Sequence, residues 1–152
     1  KGEVHSFEPA SLNFDRMRRN VILNGLENIY LNHFAVSDFK GDLAVMRDPL
    51  HLNLDSHYFV QRIHDGKVPD GAIEMIPCDT IDNYWATYTN NNCKNIDMLI
   101  IDVEGAELSV LNGAQSVICM PSCKFIMIEC TENLEEINKM RDFGKCLPLN
   151  FQ

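Results

Sequence analysis

The 152-residue sequence lacks long hydrophobic runs and has few positive charges. Its longest apolar stretches are the length of a β-strand, far below the roughly 20 residues that a membrane-spanning helix needs, so we expect no membrane span. Its 13 Lys and Arg residues are outnumbered by 22 Asp and Glu residues, which gives a formal charge of −9. Proteins that bind nucleic acid usually cluster basic residues against the phosphates. We therefore expect no nucleic-acid partner.

Zinc-binding spacings are also missing among the six cysteines and five histidines. Cys119 and Cys123 are the one close cysteine pair, and a zinc site would need two further ligands at a suitable spacing. Free cysteine in a protein core behaves as a small hydrophobic residue, and a chain of this length does not need disulfides to fold. We expect reduced thiols rather than disulfides, and a cytoplasmic protein.

Strand-like and helix-like segments alternate along the chain. Residues 3–9 alternate in polarity and predict a strand that ends at Glu8, after which Pro9 suits the first position of a helix that stops at Asn24-Gly25. Further strands are predicted at 28–36, 39–48, 72–78, 97–101 and 124–130. Helices are predicted from Asp79 or Thr80, from about Gly105 and over 134–143, whereas 49–72 is predicted to be irregular. This alternation indicates an α/β layered fold with a mainly parallel sheet, built as one domain.

Acidic or polar residues follow four of the predicted strands. They are Glu8, Ser37 with Asp38, Asp102 with Glu104, and Glu129. Ligands of open parallel sheets bind at the carboxyl ends of the strands, so this pattern indicates a binding site at one edge of the sheet. Two alternatives are that these residues only mark where the chain leaves the core, and that Glu104 and Glu107 complement a helix dipole, an effect of about 0.3–1 kcal/mol.

Glu8 is the strongest of these candidates. A carboxylate that ends a strand before a helix can accept hydrogen bonds from two ribose hydroxyls, which is how dinucleotide-type sites use it. A nicotinamide-dependent oxidoreductase would share this feature, but nothing in the sequence points to hydride transfer.

Four blocks of the sequence resemble FkbM-family methyltransferases in their order and approximate spacing. The blocks are VHSFEP, NVILNGLENIYLNHFAVSDFKGDLAV, IDMLIIDVEGAELSVLNGA and FIMIEC, and the IDVEGAE portion is the most specific. The resemblance covers most of residues 3–130. It implies a Rossmann-like, doubly wound, mainly parallel sheet with helices on both faces, and S-adenosylmethionine as the cofactor.

The resemblance also implies where the cofactor binds. Glu8 would bind the ribose, the segment at the next strand end would border the adenine, with Asp38 reaching its amino group, and Asp102 would lie near the methionine moiety. The implied cofactor-binding residues are Glu8, Pro9, Ala35, Val36, Ser37, Asp38 and Asp102.

The expected reaction is methyl transfer to a hydroxyl oxygen of a small molecule or sugar. A carboxylate near the transferred methyl group could remove the hydroxyl proton as a general base, so the expected catalytic residues are Asp102, Glu104 and Glu129, with Asp102 or Glu104 as the base. The same three side chains offer oxygen ligands of the kind that magnesium prefers, so a divalent metal is an alternative. Residues 49–72 are candidates for a lid over the acceptor.

The sequence departs from the family pattern in two places. A basic residue usually precedes the strand-ending acid, whereas Ile100 and Ile101 precede Asp102 here. The Gly-rich loop and the central strand that should come before GEVHSFEP are missing from residues 1–152, so we predict an upstream segment that contains them and an incomplete methyltransferase-like domain here. A non-catalytic Rossmann-like scaffold or interaction module is the alternative function.

Overall fold

The computed structural model describes residues 2–47, 58–63, 65–89 and 95–129. These residues belong to two compact units. The first unit is drawn from Lys1–Ala35 and Lys40–Cys78, and the second from Val36–Phe39 and Asp79–Gln152. The helix predicted for 134–143 lies outside the described residues, as do Cys93, Cys130 and Cys146.

The first unit begins with a strand–helix–strand arrangement. Strand β1 (Val4–Phe7) pairs in parallel with β2 (Ile29–Asn32), and helix α1 (Ser11–Leu23) connects them. The helix ends at Asn24, and the following Gly25 has a φ of +58°, a conformation that glycine adopts without a steric penalty. The predicted strand, helix and stop signal are therefore confirmed.

A four-stranded sheet contributes most of the first unit's buried core. Its strands are β3 (Ala35–Val36), β4 (Gly41–Arg47), β5 (Tyr58–Arg62) and β6 (Ala72–Asp79), in the order β3-β6-β4-β5. Strand β4 runs antiparallel to both β5 and β6, and its central residues 43–46 are buried. The strand predicted at 39–48 is confirmed as β4, Gly41–Arg47.

Two strand predictions were wrong. The single strand predicted at 28–36 is interrupted at His33 and Phe34, which separate β2 from β3. There the His33 ring stacks on Phe14 at 4.4 Å, and the Phe34 ring meets the Phe7 ring edge-on at 5.2 Å. Residues 58–62, which were predicted to be irregular, form β5 because they pair with β4. The ring contacts of residues 33–34 and the pairing of β5 with β4 join distant parts of the chain, so local sequence periodicity does not predict them. Residues 49–57 and 64 of the predicted acceptor lid lie outside the described residues.

The second unit contains a second parallel strand pair. Its elements are α2 (Ile81–Tyr88), β7 (Met98–Ile101), α3 (Glu107–Asn112), α4 (Gln115–Ile118) and β8 (Phe125–Ile128). Strands β7 and β8 pair in parallel from Met98 with Phe125 to Ile101 with Ile128. The largest fully buried side chains of this unit are Ile101, Leu111, Val117, Ile118 and Cys123. The described residues thus form an α/β fold with both parallel and antiparallel strand pairs.

Helix α2 begins where the sequence predicts. Thr80 is its N-cap, and the Thr80 hydroxyl accepts a hydrogen bond from the Asn83 N–H at 3.0 Å. The carboxylate of Asp82 accepts the backbone N–H groups of Ser116 and Val117 at 2.9 and 3.0 Å. Asp82 therefore satisfies amides in the first turn of α4, which lacks a capping side chain of its own.

Three of the six cysteines lie in the described ranges. Cys78 and Cys123 are buried there and Cys119 is exposed, and no disulfide joins any two of these three. No helix in the same ranges is both long and apolar enough to cross a membrane.

Candidate functional site

Glu8 follows β1 directly, at the carboxyl end of the first parallel strand pair. Its N–H continues the pairing by donating to the Asn32 carbonyl at 3.1 Å, and its half-buried carboxylate accepts the Ala10 N–H at 2.8 Å. Burial raises the pKa of Glu8 above its ordinary value, and the nearby charge of Glu74 adds to this rise. The Ala10 hydrogen bond and the charge of His33 act in the opposite direction.

Pro9 was predicted to be the first residue of the helix, but it lies before the helix. Ala10 is the N-cap and Ser11 is the first helical residue, so Pro9 lies in the turn that leads into the helix. Alanine has no side-chain acceptor, and no side chain of the local segment caps the helix. The helix starts two residues later than predicted, because Pro9 and Ala10 form the turn between Glu8 and α1.

Glu74 supplies the missing cap from β6. One of its carboxylate oxygens accepts the Ser11 N–H at 2.7 Å, and the other accepts the Ser11 hydroxyl. The Ser11 hydroxyl oxygen also lies 3.3 Å from Nε2 of His33. We call Glu8, Ser11, His33 and Glu74 the Glu8 cluster. Glu74 and His33 were not predicted from the sequence, because no local pattern links Ser11 to residues 63 and 22 positions away.

The segment predicted to border the adenine divides between the two units. Ala35 belongs to the first unit, where it is buried, and Val36, Ser37 and Asp38 belong to the second. Ser37 is buried, donates its N–H to the Asp79 carbonyl at 3.0 Å and donates its hydroxyl to Asp38 Oδ1 at 3.1 Å. Asp38 itself is exposed. The Ser37–Asp38 turn therefore has a buried first residue and an accessible carboxylate at the second.

Gly113 packs directly against the Ser37–Asp38 turn. A β-carbon added at Gly113 would lie 2.0 Å from the Ser37 carbonyl oxygen, a distance that real side chains do not tolerate. The same glycine donates its N–H to Ser109 and accepts the N–H of Asp82, both at 3.0 Å. Gly113 thus joins the end of α3, the start of α2 and the Ser37–Asp38 turn. This role of Gly113 was not predicted from the sequence, since a glycine after a helix is most often only a stop signal.

Four acidic residues interact electrostatically at the carboxyl ends of β7 and β8. The Glu129 N–H donates to the Ile101 carbonyl at 2.9 Å, so parallel pairing places residues 102 and 129 side by side. The neighbouring Asp102 carboxyl, through side-chain hydrogen bonding and its charge, raises the pKa of the exposed Glu129, and the charges of Glu104 and Glu107 raise it further. We call Asp102, Glu104, Glu107 and Glu129 the Asp102 cluster.

The turn after β7 has an unusual backbone. Glu104 has a φ of +50° and Gly105 a φ of +97°, and the left-handed conformation costs a residue with a β-carbon about 1 kcal/mol or more. Glu107, whose exposed fraction is 3%, accepts the Gly105 N–H at 2.9 Å and so fixes the turn. Its position in the first turn of α3 also fits the predicted interaction with the helix dipole.

Within the residues that the structure describes, no three His, Cys, Asp or Glu side chains are arranged to hold a metal ion. All the predicted site residues are described. The Glu8 cluster lies in the first unit, whereas the Ser37–Asp38 turn and the Asp102 cluster lie in the second. The structure therefore brings Asp102, Glu104 and Glu129 together, as the sequence predicted, and adds Glu107 to them.

Comparison with known proteins agrees with the resemblance of the four sequence blocks. Residues 1–147 match the family described as the Methyltransferase FkbM domain. Among solved structures, the chain is similar to the methyltransferase FkbM from Methylobacillus flagellatus KT, with a TM-score of 0.55 and 17% identity. The similarity covers 96% of this chain and 31% of that one, so this chain spans about a third of that protein's length.

A comparison with curated proteins gave no match. The structural similarity, at 17% identity, supports a shared fold and nothing finer. The family match carries more weight, because it extends over 147 of the 152 residues, and on that basis the chain belongs to the FkbM methyltransferase family.

Proposed function

We propose that this domain transfers a methyl group from S-adenosylmethionine to a hydroxyl oxygen of a small molecule or sugar. Membership of the FkbM methyltransferase family supports methyl transfer as the reaction class. The observation that carries the proposal is the placement of Glu8, a half-buried carboxylate directly at the end of a parallel strand and before a helix. Ligands of Rossmann-like sheets bind at this position.

The proposed sheet is Rossmann-like and doubly wound. Two parallel pairs, β1 with β2 and β7 with β8, support this architecture, and in each pair the two strands are separated in sequence by at least one helix. A strand–helix–strand connection is the unit from which such sheets are built. The antiparallel pairing of β4 with β5 and β6 would then be an addition to that sheet.

Glu8 is proposed to bind the cofactor ribose. A carboxylate has about four sites that can accept hydrogen bonds, and the Ala10 N–H uses one of them at 2.8 Å. The remaining acceptor capacity suits two neighbouring hydroxyl groups. Pro9, Ala35, Val36, Ser37 and Asp38 are proposed as the other contacts near the ribose and adenine.

The Asp102 cluster is proposed to remove the proton from the acceptor hydroxyl. S-adenosylmethionine, when bound, supplies a methyl group on a positively charged sulfur. Asp102 and Glu129 share a hydrogen bond, and the raised pKa of Glu129 brings it closer to the range in which a carboxylate can take up a proton. The hydroxyl proton would move to this pair as the acceptor oxygen gains the methyl group. Alignment of donor and acceptor could lower the barrier by about 7–11 kcal/mol.

Charge narrows the class of acceptor. The formal charge of −9 and the exposed carboxylates Asp102, Glu104 and Glu129 disfavour the approach of polyanions such as nucleic acids. Neutral hydroxylated small molecules and sugars are not repelled by this negative charge. The acceptor is therefore proposed to be uncharged or positively charged.

Calorimetric titration of the full chain with S-adenosylhomocysteine tests the proposed cofactor site. We expect binding by the wild type and its loss in Glu8→Ala. Glu27→Ala, which removes an exposed carboxylate from the loop after α1, is the matched control and should bind as the wild type does. No binding by a wild-type protein that includes the predicted upstream segment, with its Gly-rich loop and central strand, would contradict the methyltransferase proposal and favour a scaffold module.

Single-turnover methyl transfer tests the proposed base. Asp102→Asn and Glu129→Gln, each measured with saturating cofactor, should slow the reaction by about 10²–10⁴-fold, because general base catalysis typically contributes that much. Unchanged rates in Asp102→Asn, Glu104→Gln and Glu129→Gln would remove the Asp102 cluster from this role.

A further inference from the structure

Helix α1 depends on a distant residue for its N-terminal cap. The four N–H groups at the start of a helix have no partner within the helix, and Ala10 at the N-cap offers no side-chain acceptor. Glu74, which follows in the sequence 63 residues after Ser11, accepts both the N–H and the hydroxyl of Ser11. The first turn of α1 is therefore attached to β6 through one carboxylate.

Glu8 and Glu74 bind consecutive amides of the same turn. The Ala10 N–H donates to Glu8 at 2.8 Å, and the next amide, that of Ser11, donates to Glu74 at 2.7 Å. The orientation of the Glu8 carboxylate is set by the Ala10 amide. The position of that amide is set in turn by Ser11, which Glu74 holds through two contacts.

His33 supports the same turn from a third direction. Its Nε2 lies 3.3 Å from the Ser11 hydroxyl oxygen, and its ring stacks on Phe14 one helical turn later, with 4.4 Å between the ring centres. Ser11 is therefore the common contact of Glu74 and His33. The arrangement fixes the start of α1 against both β6 and the end of β2.

We propose that Glu74 is a positioning residue for the cofactor site: it holds Ser11 so that the turn from Glu8 to Ser11 presents the Glu8 carboxylate to the ribose hydroxyls. This inference rests on the proposed function of Glu8. It adds a residue from outside the four family-like sequence blocks. Glu74 would act through the backbone and would not touch the cofactor.

Two substitutions separate the capping role of Glu74 from its charge. Glu74→Gln keeps an oxygen that can accept the Ser11 N–H and an amide that can donate to the Ser11 hydroxyl oxygen. Glu74→Ala removes both contacts. In calorimetric titration with S-adenosylhomocysteine at pH 8, we expect Glu74→Gln to bind within about threefold of the wild type and Glu74→Ala at least tenfold more weakly, a factor of ten being 1.4 kcal/mol of binding free energy. Glu27→Ala is the control for loss of one negative charge.

The pH dependence of binding supplies a second readout that general loss of packing would not change. Glu8 is influenced by the charges of Glu74, which raises its pKa, and of His33, which lowers it. In Glu74→Gln the first influence is absent, so Glu8 stays ionised to lower pH, and the acid limit of binding should move to lower pH than in the wild type.

The outcomes are distinct. Failure of the wild type to bind S-adenosylhomocysteine would overturn the proposed function itself. Wild-type affinity in a folded Glu74→Ala, or a tenfold loss in Glu74→Gln, would overturn the positioning role while the proposed function stands. If Glu74→Ala does not fold, Glu74→Gln decides: near-normal affinity with the lower acid limit supports the inference, and an unchanged acid limit contradicts it.

Discussion

The Glu8 cluster and the Asp102 cluster each contain a glutamate whose pKa is raised, but the physical causes differ. Glu8 is half-buried, and loss of hydration is the largest cause of its shift. Glu129 is exposed, and its shift comes first from the hydrogen bond with Asp102 and then from the neighbouring charges. Burial therefore raises the pKa of Glu8 in the first unit, whereas neighbouring acids raise the pKa of Glu129 in the second.

This difference suits the two proposed tasks. A carboxylate held by a backbone amide in a half-buried turn is fixed in place, which favours recognition of ribose hydroxyls. An exposed carboxylate whose pKa is raised by neighbouring acids can exchange protons with solvent, which favours acid–base chemistry. The two clusters should consequently respond in different ways when a neighbouring residue is replaced.

The largest effect is expected from Gly113→Ala, which perturbs the second unit alone. The added β-carbon would lie 2.0 Å from the Ser37 carbonyl oxygen, so the Ser37–Asp38 turn or the end of α3 must move. Overpacking of this kind costs about 1–3 kcal/mol of unfolding free energy, occasionally more. Chemical denaturation followed by circular dichroism measures it.

Gly2→Ala is the matched control, because a β-carbon at Gly2 meets no atom within 4 Å. Its unfolding free energy should stay within about 0.5 kcal/mol of the wild type. Equal stability of Gly113→Ala and Gly2→Ala would show that Gly113 does not hold the Ser37–Asp38 turn.

Asp102→Asn should produce the next largest effect, on the titration of Glu129. The substitution removes the nearest charge, and the asparagine amide can donate a hydrogen bond to ionised Glu129, so the pKa of Glu129 should fall toward its ordinary value. Carboxyl-carbon NMR titration measures this pKa directly. Asp97→Asn, which removes an exposed carboxylate just before β7, is the control.

The matching change in the other cluster is Glu74→Gln, followed by titration of Glu8. Because burial is the largest cause at Glu8, removing the Glu74 charge should lower the pKa of Glu8 by less than Asp102→Asn lowers that of Glu129. Equal or larger movement at Glu8 would show that neighbouring charge dominates both clusters and would remove the distinction between them.

The smallest expected effect is on the pH dependence of stability. The pKa of Glu8 is higher in the folded than in the unfolded chain, so between these two pKa values the folded chain binds more protons. Protonation of Glu8 therefore stabilises the fold, and this stabilisation is lost as pH rises through that interval. The glutamine in Glu8→Gln cannot ionise, so the variant does not lose stability in this way as pH rises. Relative to the wild type, it should gain stability between pH 4 and pH 7 in urea titrations. A relative loss over that range would mean that the pKa of Glu8 is lowered rather than raised.

The parts of the fold set by local pattern were predictable from the sequence. The strand ending before Glu8, the helix stop at Asn24-Gly25 and the helix start at Thr80 each depend on neighbouring residues, and each was confirmed. The grouping of Asp102 with Glu129 was also predictable, because consecutive parallel strands place their carboxyl ends at one edge.

The parts set by contacts between distant residues were not predictable. Glu74 looks like an ordinary exposed position of an alternating strand, and only the folded chain brings it to Ser11. In the sequence Gly113 looks like a helix stop, and only the folded chain brings the Ser37 carbonyl so close that an added β-carbon would clash with it. Strand β5 was missed because its partner, β4, decides its structure.

A crystal structure of the full chain with S-adenosylhomocysteine would test the central proposal most directly. We predict that the Glu8 carboxylate accepts hydrogen bonds from the ribose hydroxyls at about 2.5–3.0 Å and that Asp102 lies beside the methionine moiety. A nucleoside bound away from Glu8, or a ribose held without this carboxylate, would contradict the assignment of the cofactor site.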